Sequence, residues 1–395
     1  MYQLVNNDIK ADILKFGVKD WNECFQCGNC SAICKLTEEN FLFPRRIIKQ
    51  VHLGLHKSIS ANLDPWLCYY CGECSETCPR DANPAEIMMS LRRYLTSLYD
   101  WTGLSKKFYT SKFWEMGVVS VLFVLVAAMF FIFLTPLAAI FSRPQDFVNA
   151  QGGVMINSLT ALAPGQFVHV IELADWIMAV IVGGLLITNI LHMFQMTILR
   201  DHRIKVPFYA YFTEFWNLIF NFATQAKFRK CDRRKYWLGH FLLMSGYTIM
   251  FIFIVALLKK FQTETVYSWF HWQRLLGYYA TFGILYFLSV AAYERIKKTD
   301  IKFKYSHSTD WLFIIMLGLT TVSGILVHIF RISGLPAATY LAFVFHMSVL
   351  VPMIIIEVPF SKWSHLAYRP FAIYFYRLKK VAHIRDKKEN TLIAA

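Results

Sequence analysis

Leu67-Cys68-Tyr69-Tyr70-Cys71-Gly72-Glu73-Cys74-Ser75-Glu76-Thr77-Cys78-Pro79 decides the fold of the N-terminal quarter, because an earlier stretch, Cys24-Phe25-Gln26-Cys27-Gly28-Asn29-Cys30-Ser31-Ala32-Ile33-Cys34, has the same C-x2-C-x2-C-x3-C spacing. Three thiolates on one tight loop grip three irons of a cubane, while the fourth cysteine, turned away at the start of a helix, reaches a second cluster. On that logic Cys24, Cys27, Cys30 and Cys78 hold one [4Fe–4S] cluster, and Cys68, Cys71, Cys74 and Cys34 hold the other. Gly28 and Gly72 sit inside the loops, where a missing Cβ lets the backbone fold closely around sulfide and offer N–H donors. Structural zinc is the competing use, but zinc takes two ligand pairs and gains nothing from a third and fourth cysteine in each run.

Residues 1 to about 105 hold eight of the nine cysteines. Met1 to Asp20 lacks a basic start followed by an apolar stretch, so this head is expected to stay in the cytoplasm, where reducing conditions favour metal binding over disulfides. Between the cysteine groups, Pro44 to His56 reads as a helix with Ile47, Ile48, Val51 and Leu55 on one face; after Pro84, Ile87, Met88, Leu91, Leu95 and Leu98 repeat the pattern. The runs Phe43-Pro-Arg-Arg-Ile-Ile-Lys-Gln-Val-His-Leu-Gly-Leu and Leu67-Cys-Tyr-Tyr-Cys-Gly-Glu-Cys-Ser-Glu-Thr-Cys-Pro-Arg resemble the α-helical ferredoxin of HdrC, the small iron–sulfur subunit of heterodisulfide reductases. The resemblance covers about the first hundred residues and departs at Lys35, where a proline commonly follows the fourth cysteine.

From Trp114 onward the chain becomes long apolar runs divided by basic loops, in keeping with 56% hydrophobic residues overall. Six segments are long enough to cross a membrane: Phe113 to Phe141, Val170 to Ile198, Tyr236 to Leu258, Trp269 to Tyr293, Trp311 to Ile329 and Ala338 to Phe360, with Pro136 and Pro352 as candidate kinks. Lys and Arg crowd the second connection (Arg200 to Lys235), the fourth (Arg295 to Lys304) and the tail after residue 376, whereas the first, third and fifth connections carry few. The positive-inside rule then places both termini in the cytoplasm of a multi-pass inner-membrane protein. The net charge of +15 is read as this topology signal and not as nucleic-acid binding. Pro207 to Lys227 has aromatic residues at helical spacings and reads either as an interfacial helix or as a docking surface for the head.

Histidines inside apolar helices are costly and usually functional. His192, His240 and His365 fall near the cytoplasmic side, and His271, His328 and His346 towards the other. These layers suit one or two haem b groups, two being favoured, each held between imidazoles of facing helices. From Val168 to Tyr376 the chain resembles cytochrome b subunits of respiratory nitrate reductase and of heterodisulfide-reductase-like complexes, on Arg234-Lys-Tyr-Trp-Leu-Gly-His240 and on His346 with Pro359-Phe-Ser-Lys-Trp-Ser-His365-Leu-Ala-Tyr-Arg-Pro. That resemblance implies that His240 and His365 ligate an inner haem and His346 an outer one. The family's second histidine on the His240 helix is here Met250, so the outer partner is open between His328, Met250 and His271, each of which also has an ordinary use as an interfacial or packing side chain. Glu357 in the sixth segment is expected to pair with a basic side chain, with proton delivery to quinone as the alternative.

The expected architecture is all-α: an iron–sulfur head over 1–105, a six-span haem b bundle over 106–376 and a basic tail over 377–395. The whole resembles the QmoC family, the membrane subunits of quinone-interacting membrane-bound oxidoreductase complexes. This implies menaquinone as the lipid-soluble redox partner, HdrA-like flavoprotein subunits and adenylylsulfate reductase as protein partners, and a role in sulfur metabolism. Two alternatives are the membrane arm of another heterodisulfide-reductase-like complex and a transporter with sensory clusters.

Overall fold

The computed structural model describes residues 5–6, 8–18, 21–38, 42–133, 137–159, 167–201, 205–231, 234–261 and 263–394. Pro136, Arg203 and Arg233 lie outside them. Among the described residues every element is helical apart from one isolated bridge between Val148 and Val154. Six helices among the described residues are long and apolar enough to cross a membrane, which makes this a multi-pass membrane protein. They are Lys112–Phe133, Phe167–Phe194, Arg234–Val255, Trp272–Lys297, Ser308–Ile332 and Pro336–Phe360, called here the first to sixth spans. Pro336 opens the sixth span, where its missing N–H leaves no helical bond unmade, and Pro352 lies inside the helix without ending it.

In the head, the expected helix from Pro44 to His56 stops at His52, and a second short helix covers His56–Ser60. Gly54 is the cause. Its φ of 66° is left-handed, its carbonyl accepts the Asn6 N–H at 3.0 Å, and a Cβ there would meet the Asn6 carbonyl at 2.7 Å. The helix Pro84–Tyr99 forms as its apolar spacing indicates and buries Ile87, Met88, Leu91 and Leu95.

The connections sort to two ends of the bundle. At the head end, the Tyr70 hydroxyl lies 2.7 Å from the Lys302 carbonyl, Arg93 reaches Asp310 at the start of the fifth span (3.7 Å), and Lys379 reaches Asp201 (3.6 Å). At the opposite end, Arg331 donates to the Val154 carbonyl (3.3 Å) and Asn149 to that of Glu264 (2.8 Å). The basic second and fourth connections thus share an end with the head, and the other three connections meet at the far end.

The last helix, His365–Ala394, runs through position 377 without a break, so the division expected there falls inside a single element. It returns to the head and shares its core: Tyr368 is fully buried 5.1 Å from Trp66 and 5.6 Å from Tyr99, ring centre to ring centre. The stretch after Pro207 forms two helices, Phe208–Thr213 and Phe215–Thr224. Tyr211 and Glu214 bond Tyr374 and Arg377 of the last helix, while Phe208, Phe212 and Trp216 stay exposed. Replacing a buried aromatic by alanine typically costs about 3–5 kcal/mol. Tyr368→Ala is accordingly expected to loosen head from bundle, read as faster proteolysis of the 1–105 region and a lower thermal midpoint in detergent; an unchanged digestion pattern would contradict this docking.

Candidate functional site

Each cysteine loop turns on a left-handed glycine, Gly28 at φ 92° and Gly72 at φ 94°, which starts one short helix, Asn29–Ile33 or Glu73–Glu76. That helix carries the third cysteine. Cys34 and Cys78 therefore follow a helical turn instead of starting one, because the glycine begins the turn several residues earlier. The turn sends each fourth thiol towards the other loop: Cys78 and Cys27 are both electrostatic neighbours of Cys24, while Cys34 neighbours Cys68, Cys71 and Cys74. Cys30 neighbours both Cys24 and Cys74, which brings the two groups side by side. Burial pushes the Cys30 and Cys68 thiols up to about 11, so each keeps its proton at neutral pH until a metal displaces it.

A tetrahedral zinc site needs thiolates about 3.8 Å apart. Among the described residues no three His, Cys, Asp or Glu side chains close around a single ion. Cys34, Cys68, Cys71 and Cys74 instead line one cavity with Tyr69, Tyr70 and Met88, the wider wall that a cubane requires. Two guanidinium groups support an anionic occupant. Arg92 and Arg369 both donate to the Cys68 carbonyl, at 2.7 and 3.0 Å, and neither has a carboxylate partner among the described residues. Burial first, and then Arg369, push Arg92 down to about 9. Two neighbouring cations held out of water gain from a negative centre, which a cluster with four thiolates provides.

The Cys68 loop also touches the bundle. Tyr69 stacks on Phe228 with ring centres 4.9 Å apart and planes 7° apart; Phe228 meets His240 edge-on at 5.7 Å; and His240 faces His365 at 6.3 Å. Two imidazoles facing each other through one metal have ring centres about 6 Å apart, from a metal–nitrogen distance of about 2.0 Å and the size of the ring. His365 Nδ1 lies 2.7 Å from the Lys362 carbonyl and His240 Nδ1 lies 2.9 Å from Gln225 Oε1. An oxygen of either kind only accepts, so Nδ1 carries the proton in both rings and Nε2 keeps its lone pair, which leaves that nitrogen free to bind a metal. Burial, and then Arg369, hold His365 well below the usual imidazole range.

His346 shows the same orientation: its Nδ1 is 3.0 Å from the Thr320 carbonyl. His328 differs, since its Nε2 is engaged by the Tyr278 hydroxyl at 3.0 Å, and no ring contact joins it to His346 among the described residues. His192 Nδ1 bonds the Tyr99 carbonyl of the head (3.0 Å), and His271 stacks on Tyr267 at 4.1 Å. Among the described residues Glu357 has no basic side chain paired with it, contrary to expectation. The sixth span ends at Phe360, and the freed Lys362 N–H turns back to Glu357 at 3.1 Å, while the Lys362 ammonium goes to Asp310.

Sequence reading missed Tyr69, Gln225, Phe228, Cys231 and Arg369. Arg369 lay within a quoted motif, one helical turn after His365, but nothing in the spacing marked the Cys68 carbonyl, 301 positions away, as its partner.

Residues 20–82 match the 4Fe–4S dicluster domain family. The chain is 36% identical over 91 residues to an HdrC-like heterodisulfide reductase protein of Archaeoglobus profundus, covering 22% of this chain and 48% of that protein. The same identity and coverage hold for an iron–sulfur HdrC protein of the CoB–CoM heterodisulfide reductase of Methanocaldococcus jannaschii. The corresponding HdrC protein of the H2:CoB–CoM heterodisulfide, ferredoxin reductase of Methanothermobacter marburgensis is 27% identical over 88 residues, 22% of this chain and 48% of that protein. The chain spans about half the length of these curated relatives. No solved structure matches it at a significant level. The N-terminal part is thus a 4Fe–4S dicluster domain homologous to the HdrC proteins of heterodisulfide reductases.

The crossed arrangement of thiols makes a distinguishing prediction. Cys34→Ser should disturb the same paramagnetic species as Cys71→Ser and spare the one lost in Cys27→Ser, as read by electron paramagnetic resonance of the reduced protein. If Cys34→Ser instead reproduces Cys27→Ser, the fourth ligands are not exchanged between loops.

Proposed function

We propose that this chain is the membrane electron-transfer subunit of a heterodisulfide-reductase-like oxidoreductase complex. Cys24, Cys27, Cys30 and Cys78 hold one [4Fe–4S] cluster; Cys68, Cys71, Cys74 and Cys34 hold the second; His240 and His365 hold a haem b next to it. His346 serves a second, outer haem b, with His328 as the candidate partner if Tyr278 releases its Nε2. When bound, these groups supply one-electron redox chemistry between a two-electron quinone and flavin partners. The head faces the cytoplasm, where HdrA-like flavoprotein subunits exchange electrons with it, and menaquinone is the partner in the bilayer. Within this class, the QmoC-type architecture of the quinone-interacting membrane-bound oxidoreductase complex, working with adenylylsulfate reductase in sulfur metabolism, is the particular arrangement proposed.

The observation that carries the reading is the unbroken contact from the Cys68 loop through Tyr69 and Phe228 to the facing pair His240 and His365. A sensor or transporter with structural clusters has no need of that juncture. The depth of His346 adds to it: it lies within the sixth span, 14 residues or about 21 Å of helical rise before the end of that span at Phe360, and so stands well away from the corner that holds His365.

The test uses the purified full chain. The reduced protein should display haem b absorbance together with cluster signals, and a menaquinone analogue should oxidise both. His240→Ala should remove one haem per chain and abolish exchange between quinone and head, with iron–sulfur content unchanged. Full haem content and normal exchange in that variant would refute the inner-haem assignment.

A further inference from the structure

The ninth cysteine belongs to neither cluster motif. Cys231 lies in the connection before the third span, in the turn closed by its N–H on the Phe228 carbonyl at 3.1 Å, and it is 6% exposed. It lines the same cavity as Cys34, Cys68, Cys71 and Cys74, and its thiol is a close neighbour of the Cys71 thiol. Phe228, three residues earlier, is the ring stacked on Tyr69, so the turn carrying Cys231 is pressed against the cluster loop. Five thiols therefore face one cavity. A cubane has four irons, and each takes one thiolate. Cys34, Cys68, Cys71 and Cys74 fill that number, which leaves Cys231 without an iron and with a proton to donate.

We propose that Cys231 is a fifth thiol of the second cluster site that does not ligate iron but donates its S–H to the Cys71 sulfur, so that the membrane part sets the redox potential of a cluster held by the head. The inference rests on the reading above that Cys71 is a cluster ligand. Reduction adds one electron to the cluster with no bond made or broken, and the added negative charge is spread over the sulfurs. A hydrogen bond to a ligand sulfur strengthens as that charge grows, stabilises the reduced form and raises the potential. Cys231 thus acts as a positioning and tuning residue.

Redox titration of the full chain, followed by electron paramagnetic resonance, tests this with Cys231→Ala and Cys231→Ser. The alanine variant should keep all its iron and shift the second cluster's reduction equilibrium about tenfold towards the oxidised form, which is about 59 mV for one electron. The serine variant, whose hydroxyl can still donate, should recover most of that shift, and the first cluster should not move in either. An unchanged potential in Cys231→Ala overturns the inference alone. So does loss of iron or a three-iron signal in that variant, which would make Cys231 a ligand. Absence of a second-cluster signal from the unsubstituted protein would overturn the underlying reading, and this inference with it.

Discussion

One helical turn couples the two halves of this protein. His365 and Arg369 are four residues apart on the last helix and so project from the same side of it. His365 faces His240 of the third span, and Arg369 donates to the carbonyl of Cys68 in the head. Between them, Tyr368 is sealed against Trp66 and Tyr99. A rigid turn of about 6 Å therefore fixes how far the second cysteine group stands from the imidazole pair. Neither group can shift without the other unless the helix itself deforms or the Tyr368 contact is lost.

Charge explains why the juncture is built from arginine. Arg92 and Arg369 converge on a single carbonyl, and Arg369 also lies over the Tyr69 ring at 4.5 Å. Guanidinium is weakly hydrated, stays charged and donates from a fixed fork, so it tolerates partial burial better than an ammonium does. Two such cations destabilise each other, and the strain is relieved only by negative charge nearby. The site is thus matched to an anionic centre even though burial, acting alone, keeps the Cys34, Cys68 and Cys74 thiols protonated.

Much of this was legible in the sequence, for physical reasons that also mark the limit. The six spans follow from length and apolarity, and the cysteine spacing is set within single loops, so both are local properties. Grouping of the basic connections with the head follows from charge alone. What escaped were consequences of packing between distant segments. Gly54 breaks a helix whose apolar pattern continues through it, because Asn6 comes close to its Cα. The last helix reads as a basic tail because its Lys and Arg are visible and their partners, Glu38, Asp201 and Glu214, lie far away in the chain. Cys231 had no spacing to recommend it and is placed only by the turn that Phe228 anchors.

The corner between the sixth span and the last helix must hold His365 in one orientation, and a single residue does this through three groups. The Lys362 N–H bonds Glu357 in the span behind it at 3.1 Å, its carbonyl accepts the Nδ1–H of His365 at 2.7 Å, and its ammonium pairs with Asp310 on the fifth span. Asp310 is itself part of the capping box of that span and also faces Arg93 of the head. The sixth span, the fifth span and the head are thereby tied to the one residue whose carbonyl sets the tautomer of His365. Hydrogen-bond partners of this kind determine which ring nitrogen is free to bind and where it points. Glu357 is then understood as an acceptor for a backbone N–H that the end of the helix would otherwise leave buried and unbonded, a use of a fully buried carboxyl that needs no basic partner.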